Sequence, residues 1–202
     1  MNQHRDTLRA AYDFDAPRRN TNVLDGWRVD VIDDFLERLD PGASVLEMGA
    51  GAGQAARYVA EKGFRVTAMD LSPANVALAT ARGVEARVGD FTNPDFHAGE
   101  FDAVFAMNSL LHVEKQLWAS AMGVIRRSLR PDGIALIVVW GGINYEGTLS
   151  DEWTDPPRYF TFYSDEDFAA LDTPDFRRLA CEFRLDDLED DLHPQIMVLE
   201  AT

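Results

Sequence analysis

Val45-Leu46-Glu47-Met48-Gly49-Ala50-Gly51-Ala52-Gly53 decides how the rest of the chain is read. An apolar run ends in an acid, and glycines follow at alternating positions. The pattern predicts a buried strand that turns sharply at its carboxyl end and lets a ligand approach the main chain. Glycine permits both, because it tolerates positive φ and has no Cβ.

Working outward, a strand at Ser44–Met48 leads into a helix over 52–62 that Gly63 stops. Phe64, Val66 and Ala68 lie on one face of a second strand, 64–69. Ser72-Pro73 then opens a helix to Arg82, with Ser as cap and Pro in its first position. A third strand is expected at Glu85–Val88, a loop with Asn93-Pro94, and a fourth strand at Phe101–Met107. A helix over 114–129 and the turn Arg130-Pro131-Asp132-Gly133 precede a continuous apolar run, 134–140, expected as a strand buried on both faces. Upstream lie two helices, 4–14 and 24–39, the second with Val31, Ile32, Phe35, Leu36 and Leu39 at helical spacing.

Alternation of this kind predicts an α/β fold with a doubly wound, mostly parallel, seven-stranded Rossmann-like sheet. After Trp140 the pattern changes. Residues 141–163 are rich in Gly, Pro and aromatics and read as a loop or lid; Ser164 caps a short helix. Segments 176–185 and 194–201 alternate and read as an antiparallel C-terminal hairpin closing the sheet, joined by the acidic turn 186–191. The expectation is one domain over 1–202, with 1–40 as a helical cap.

The formal net charge of −16 disfavours nucleic acid as a partner. No stretch approaches the ~20 apolar residues of a membrane span, and the polar N-terminus is unlike a signal peptide, so a cytoplasmic protein is expected. Cys181 is the sole cysteine and reads as a packing residue, and the four histidines show no metal-ligand spacing.

In such a sheet the ligand crevice lies at the carboxyl ends of the strands. Asp70 ends the second strand, where a carboxylate can accept from both hydroxyls of a ribose. After the third strand, Asp90 can accept from an adenine amino group while Phe91 packs on the ring. Asn108 to His112 follow the fourth strand. The glycine loop also fits a permissive dinucleotide fingerprint, Gly51-Ala52-Gly53-Gln54-Ala55-Ala56. Glu47, misplaced for a pyrophosphate, the second acid Asp90 and the closing hairpin argue against a nicotinamide cofactor. They favour a cationic ligand without phosphate.

The chain resembles class I S-adenosylmethionine-dependent methyltransferases over almost its whole length. Val45 to Gly53, Val66 to Leu71, Val88 to Phe91, Phe101 to His112 and Leu129 to Gly133 resemble that family's five motifs in order. It departs in Glu47, where Asp is frequent, and in Ala50, where Cys is frequent. Tyr12-Asp13, Trp27-Arg28 and His193-Pro194 resemble features of the small bacterial members that act on small molecules. The resemblance implies S-adenosylmethionine as cofactor, held by Tyr12, Trp27, Glu47, Gly49, Ala50, Gly51, Gly53, Asp70, Leu71, Asp90, Phe91, Met107, Asn108 and His112. It also implies in-line methyl transfer to a small-molecule acceptor, by a monomer or homodimer.

His112 reads as a general base or as a wall of the site, and His193 as a second candidate base. Tyr12, Trp27, Trp153, Tyr159 and Tyr163 are the aromatics available to a sulfonium. A nicotinamide-dependent oxidoreductase, and a protein that binds S-adenosylmethionine without transferring methyl, are the competing readings.

Overall fold

The computed structural model describes residues 4–91, 96–150, 156–185 and 191–202. Two helices, α1 (Arg5–Arg19) and α2 (Gly26–Leu36), lead into β1 (Ser44–Met48), α3 (Gln54–Glu61), β2 (Arg65–Asp70), α4 (Pro73–Ala81) and β3 (Glu85–Val88). Then come β4 (Phe101–Met107), α5 (Trp118–Ser128), β5 (Leu129–Gly141), the short strands β6 (Tyr145–Leu149) and β7 (Arg158–Phe162), α6 (Asp165–Ala169), β8 (Phe176–Phe183) and β9 (His193–Ala201).

Seven strands form one sheet in the order β3-β2-β1-β4-β5-β9-β8. The first five run parallel, and β9 pairs antiparallel with both β5 and β8. The period of two in the central strands buries both faces. Leu46, Val104 and Ile137 point to the α5 side, where they meet Ile125. Val45, Phe105 and Leu136 point to the opposite side, against Ile32 and Phe35 of α2 and Val59 of α3. With both faces covered by helices, the sheet leaves its strand ends as the place for a ligand. The chain leaves β1 toward β2 on one side and returns as β4 on the other, which opens a crevice at the carboxyl end of β1.

Several local expectations change. The helix expected from residue 114 begins at Trp118, after tight 3-10 turns at Leu110–His112 and Lys115–Leu117. The turn before the fifth strand is a bulge inside β5. Leu129 pairs with Phe101 and Ile134 with Ala103, and Asp132 between them takes φ +61°. Helix α1 runs on to Arg19 through Pro17. Its end is held by a hydrogen bond from Gln54 Nε2 to the Arg19 carbonyl (2.9 Å). Residues 141–163, expected as a loop, contain the β6–β7 antiparallel pair. Phe160, Phe162 and Tyr145 form a stack of ring contacts along that pair, which supplies the apolar face a free loop would lack. The acidic turn and Asn93-Pro94 lie largely or wholly outside the described residues. Among the described residues no helix is long and apolar enough to cross a membrane.

Candidate functional site

The glycine turn is shaped by its contacts. Gly49, Gly51 and Gly53 all have positive φ (+81°, +54° and +82°). The Gly49 and Ala50 N–H groups both donate to the Met69 carbonyl (2.7 and 3.0 Å), tying the turn to the end of β2. A Cβ on Gly49 would fall 2.2 Å from Ser109 Cβ, and Ser109 itself is fixed by donating to the Met48 carbonyl (2.7 Å). Gly53 caps α3, and a Cβ there would fall 2.7 Å from Ala79 Cβ of α4. Only beside Gly51 is there open space. Gly49 and Gly53 therefore serve close packing, and Gly51 leaves the approach to the main chain free.

The turn floors a cavity of about 850 Å³. That is in the upper part of the ~300–1,000 Å³ range of small-molecule sites. Three acids from the ends of consecutive strands line it: Glu47 from β1, Asp70 from β2 and Asp90 after β3. Glu47 is 3% exposed and its Oε2 has no hydrogen-bond partner. Burial pushes its carboxyl up to about 8; the Ala56 backbone pulls the other way, and the nearby Asp70 adds to the rise. Asp70 Oδ2 accepts from the Gly51 N–H (2.7 Å), and Oδ1 from the Ser72 N–H (2.9 Å) and Asn75 Nδ2 (3.2 Å). Burial raises its pKa, and those hydrogen bonds with the Arg19 charge hold the rise down. Phe91, Leu71, Ala50, Met107 and Asn108 complete this wall. Asn108 takes φ +56°, and its buried Oδ1 has no partner.

Helix α1 forms the opposite wall. Arg5, Leu8, Tyr12 and Arg19 all face the cavity. Their spacing of three, four and seven places them on one helix face. The Tyr12 hydroxyl is 2.5 Å from His112 Nε2, and His112 Nδ1 is 2.7 Å from the Tyr159 carbonyl. A carbonyl only accepts, so Nδ1 carries the hydrogen and Nε2 accepts from Tyr12. Burial pushes the imidazole down to about 3; the Tyr159 carbonyl opposes this, and Arg158 and Arg19 add to it. His112 is thus neutral, with both nitrogens engaged. The guanidinium groups of Arg19 and Arg158 lie 5.1 and 5.3 Å from the Tyr12 ring centroid. Asp13 accepts from the Ser72 hydroxyl (2.5 Å) and the Ala74 N–H (3.2 Å), fastening α1 to the start of α4. Arg5 pairs with Asp90.

Three residues expected at the site lie elsewhere. Gly53 is behind the turn, as described. Trp27 packs edge-on against Trp140 (5.9 Å) and lies outside the cavity lining. His193, at the start of β9, is also outside it, because its Nε2 is held by Asp165 (2.8 Å) and its ring sits against Gly142. Of the other aromatics, Tyr163 is buried against Trp118, and Tyr159 stacks on His4 with its hydroxyl on Glu146. Trp153 lies outside the described residues. Arg5, Leu8 and Arg19 went unread in the sequence, although their shared helix face was visible in it.

The strand order, the glycine turn after β1, the acids at the ends of β1 and β2 and the antiparallel β8–β9 pair make a Rossmann-like fold shared with solved methyltransferases. Residues 45–133 match the family model of a methyltransferase domain. A ubiquinone biosynthesis O-methyltransferase of Xanthomonas oryzae is 35% identical over 129 residues, covering 60% of this chain and 52% of that protein. The chain spans about half the length of the curated relatives it matches, or less. Among solved structures, Burkholderia thailandensis 1,6-didemethyltoxoflavin-N1-methyltransferase, with 1,6-didemethyltoxoflavin and S-adenosylhomocysteine bound, superposes with a TM-score of 0.68 at 24% identity. That match covers 96% of this chain and 88% of that one. The [4+2]-cyclase SpnF superposes with a TM-score of 0.76 at 19% identity, covering 98% and 96%.

Proposed function

We propose that this chain transfers a methyl group from S-adenosylmethionine to a small molecule by in-line displacement. The observation that carries the reading is the row of three acidic side chains, Glu47, Asp70 and Asp90, along one cavity. They complement a cationic amino-acid end, a ribose diol and an aminopurine in that order. A pyrophosphate would meet Glu47 where it needs positive charge, and the sheet closes with an antiparallel pair where a dinucleotide fold continues with a second parallel half.

In this reading the unpartnered Glu47 Oε2 and Asn108 Oδ1 take the ammonium group, and Arg19 faces the carboxylate. Asp70 has an acceptor site left on Oδ2 for a ribose hydroxyl, its Oδ1 already accepting twice. Asp90 takes the adenine amino group, with Phe91 against the ring. The sulfonium carbon then lies toward Tyr12, whose hydroxyl hydrogen is committed to His112 and whose oxygen lone pairs are left for a donor on the acceptor. A neutral sulfide leaves, so the displacement needs no acid. What it needs is alignment at about 3–3.5 Å and exclusion of water. Helix α1, the segment Asn22 to Asp25 and Arg28 of α2 supply the outer walls. We propose one domain over the chain, with residues 1–40 as cap; the described residues of 141–163, expected as a lid, lie outside the cavity lining and reach the site through the Tyr159 carbonyl that holds His112.

His112 is a positioning residue here and not the base the sequence allowed, since its one acceptor nitrogen is taken by Tyr12 and burial lowers its basicity. The acceptor is a small molecule that presents an O–H or N–H to the Tyr12 oxygen, in line with the O- and N1-methyltransferase names of two of the relatives.

Calorimetric titration with S-adenosylhomocysteine tests the cofactor. Saturable binding is expected, and no heat at millimolar ligand would sink the reading. In the same titration Asp70→Ala weakens binding about tenfold or more, equivalent to about 1.4 kcal/mol. Formation of S-adenosylhomocysteine from methyl-labelled cofactor with a metabolite extract separates methyl transfer from binding alone.

A further inference from the structure

We propose that Arg5 is an internal competitor for the adenine subsite and thereby sets how tightly the chain holds its cofactor. The inference rests on the reading of Asp90 as the acid that accepts from the adenine amino group.

Arg5 stands at the first residue of α1, and its Nε donates to Asp90 Oδ2. The Asp90 side chain is 10% exposed and that of Arg5 is 42% exposed, so the carboxylate faces the cavity and the guanidinium covers it from the solvent side. A guanidinium brings a full charge to the carboxylate, whereas an aminopurine brings only a neutral N–H. With the ion pair made, the purine meets an acceptor already engaged by a stronger donor. Cofactor binding therefore selects the molecules in which Arg5 has left Asp90.

That exchange does not need α1 as a whole to move. Its later turns are fastened independently: Tyr12 to His112, Asp13 to Ser72 and Ala74, the Arg19 carbonyl to Gln54, and the following Asn20 carbonyl to Arg82 (2.8 Å). Only the Arg5 side chain and the first turn have to shift. When the competent form is a fraction of the population, the apparent dissociation constant rises by the inverse of that fraction. The same pair re-forms as the nucleoside leaves, which favours release of S-adenosylhomocysteine.

The test is titration of S-adenosylhomocysteine into the wild-type chain, Arg5→Ala and Arg5→Lys at 50 mM and 500 mM NaCl. Competition predicts that Arg5→Ala binds about two- to fivefold more tightly than wild type at low salt, the range a partly exposed ion pair supports. The gap narrows at high salt, where the wild-type pair is screened. Arg5→Lys keeps the charge and stays within about twofold of wild type. Saturable wild-type binding with Arg5→Ala unchanged or weaker overturns the inference alone, because Arg5 would then be inert or would hold the purine itself. Absence of binding by all three proteins overturns the cofactor reading and this inference with it.

Discussion

Glu47 lies near the carboxyl end of β1 and His193 begins β9, both buried at the end of the sheet where the parallel strands finish, yet their surroundings make them different kinds of residue. Glu47 keeps one oxygen unpartnered beside a cavity, and burial pushes its carboxyl up to about 8. His193 gives its Nε2 to Asp165, which also accepts from Gln195 Nε2 (2.8 Å), and Gly142 packs on its ring. The first environment stores an unmet interaction that a ligand can satisfy. The second is closed on itself and holds α6 against the sheet. Residue type and burial are alike in kind; the unspent hydrogen-bonding capacity separates a site from a scaffold.

The largest effect expected from this comparison is the pH dependence of stability carried by Glu47. Its folded pKa lies above the usual carboxyl value of 4.5, so the folded chain holds a proton that the unfolded chain has lost. Stability is therefore lost as pH rises from about 4.5 to about 8. Glu47→Gln, neutral throughout, is expected to match wild type near pH 4.5 and to exceed it at pH 8, by up to about 5 kcal/mol at 1.36 kcal/mol per pKa unit. Urea melts across that range check it; parallel profiles for the two proteins would break the contrast with His193.

Next in size is the glycine turn. Gly49→Ala combines a φ of +81° with a Cβ that would sit 2.2 Å from Ser109 Cβ, and is expected to cost about 3 kcal/mol or more. Gly51→Ala, at φ +54° with nothing within 4 Å, is expected to cost about 1 kcal/mol. Equal losses in thermal melts would mean that the two glycines do not divide packing and ligand approach between them.

Smallest is His193→Leu. Losing the Asp165 bond is expected to destabilise by about 1–2 kcal/mol while leaving S-adenosylhomocysteine affinity within about twofold. A fivefold weaker affinity would return His193 to the site.

Much of the architecture was legible because it rests on local pattern. The glycines after an apolar strand, the strand–helix alternation and the antiparallel closure all follow from periodicity and turn chemistry. So do the caps at Ser72 and Ser164, whose hydroxyls accept from the Asn75 and Asp167 N–H groups (both 3.1 Å). The acids at the ends of β1 and β2 were legible for the same reason, since a strand end can be placed from its own residues. Less readable was the segment after β5. Its Gly and Pro content resembles a loop, and its antiparallel pairing, backed by ring contacts along β6 and β7, is a tertiary outcome.

By itself, the sequence determined where the chain turns and which polar groups stand at those turns: Glu47, Asp70, Asp90 and the loop from Asn108 to His112. Only the tertiary structure decided what each of them faces. It joined Arg5 to Asp90 across 85 residues and Tyr12 to His112 across 100, and it matched His193 to Asp165. The physical reason is range. Backbone preferences act over a few neighbours, whereas the state of a buried polar group depends on partners that only folding brings within hydrogen-bonding distance.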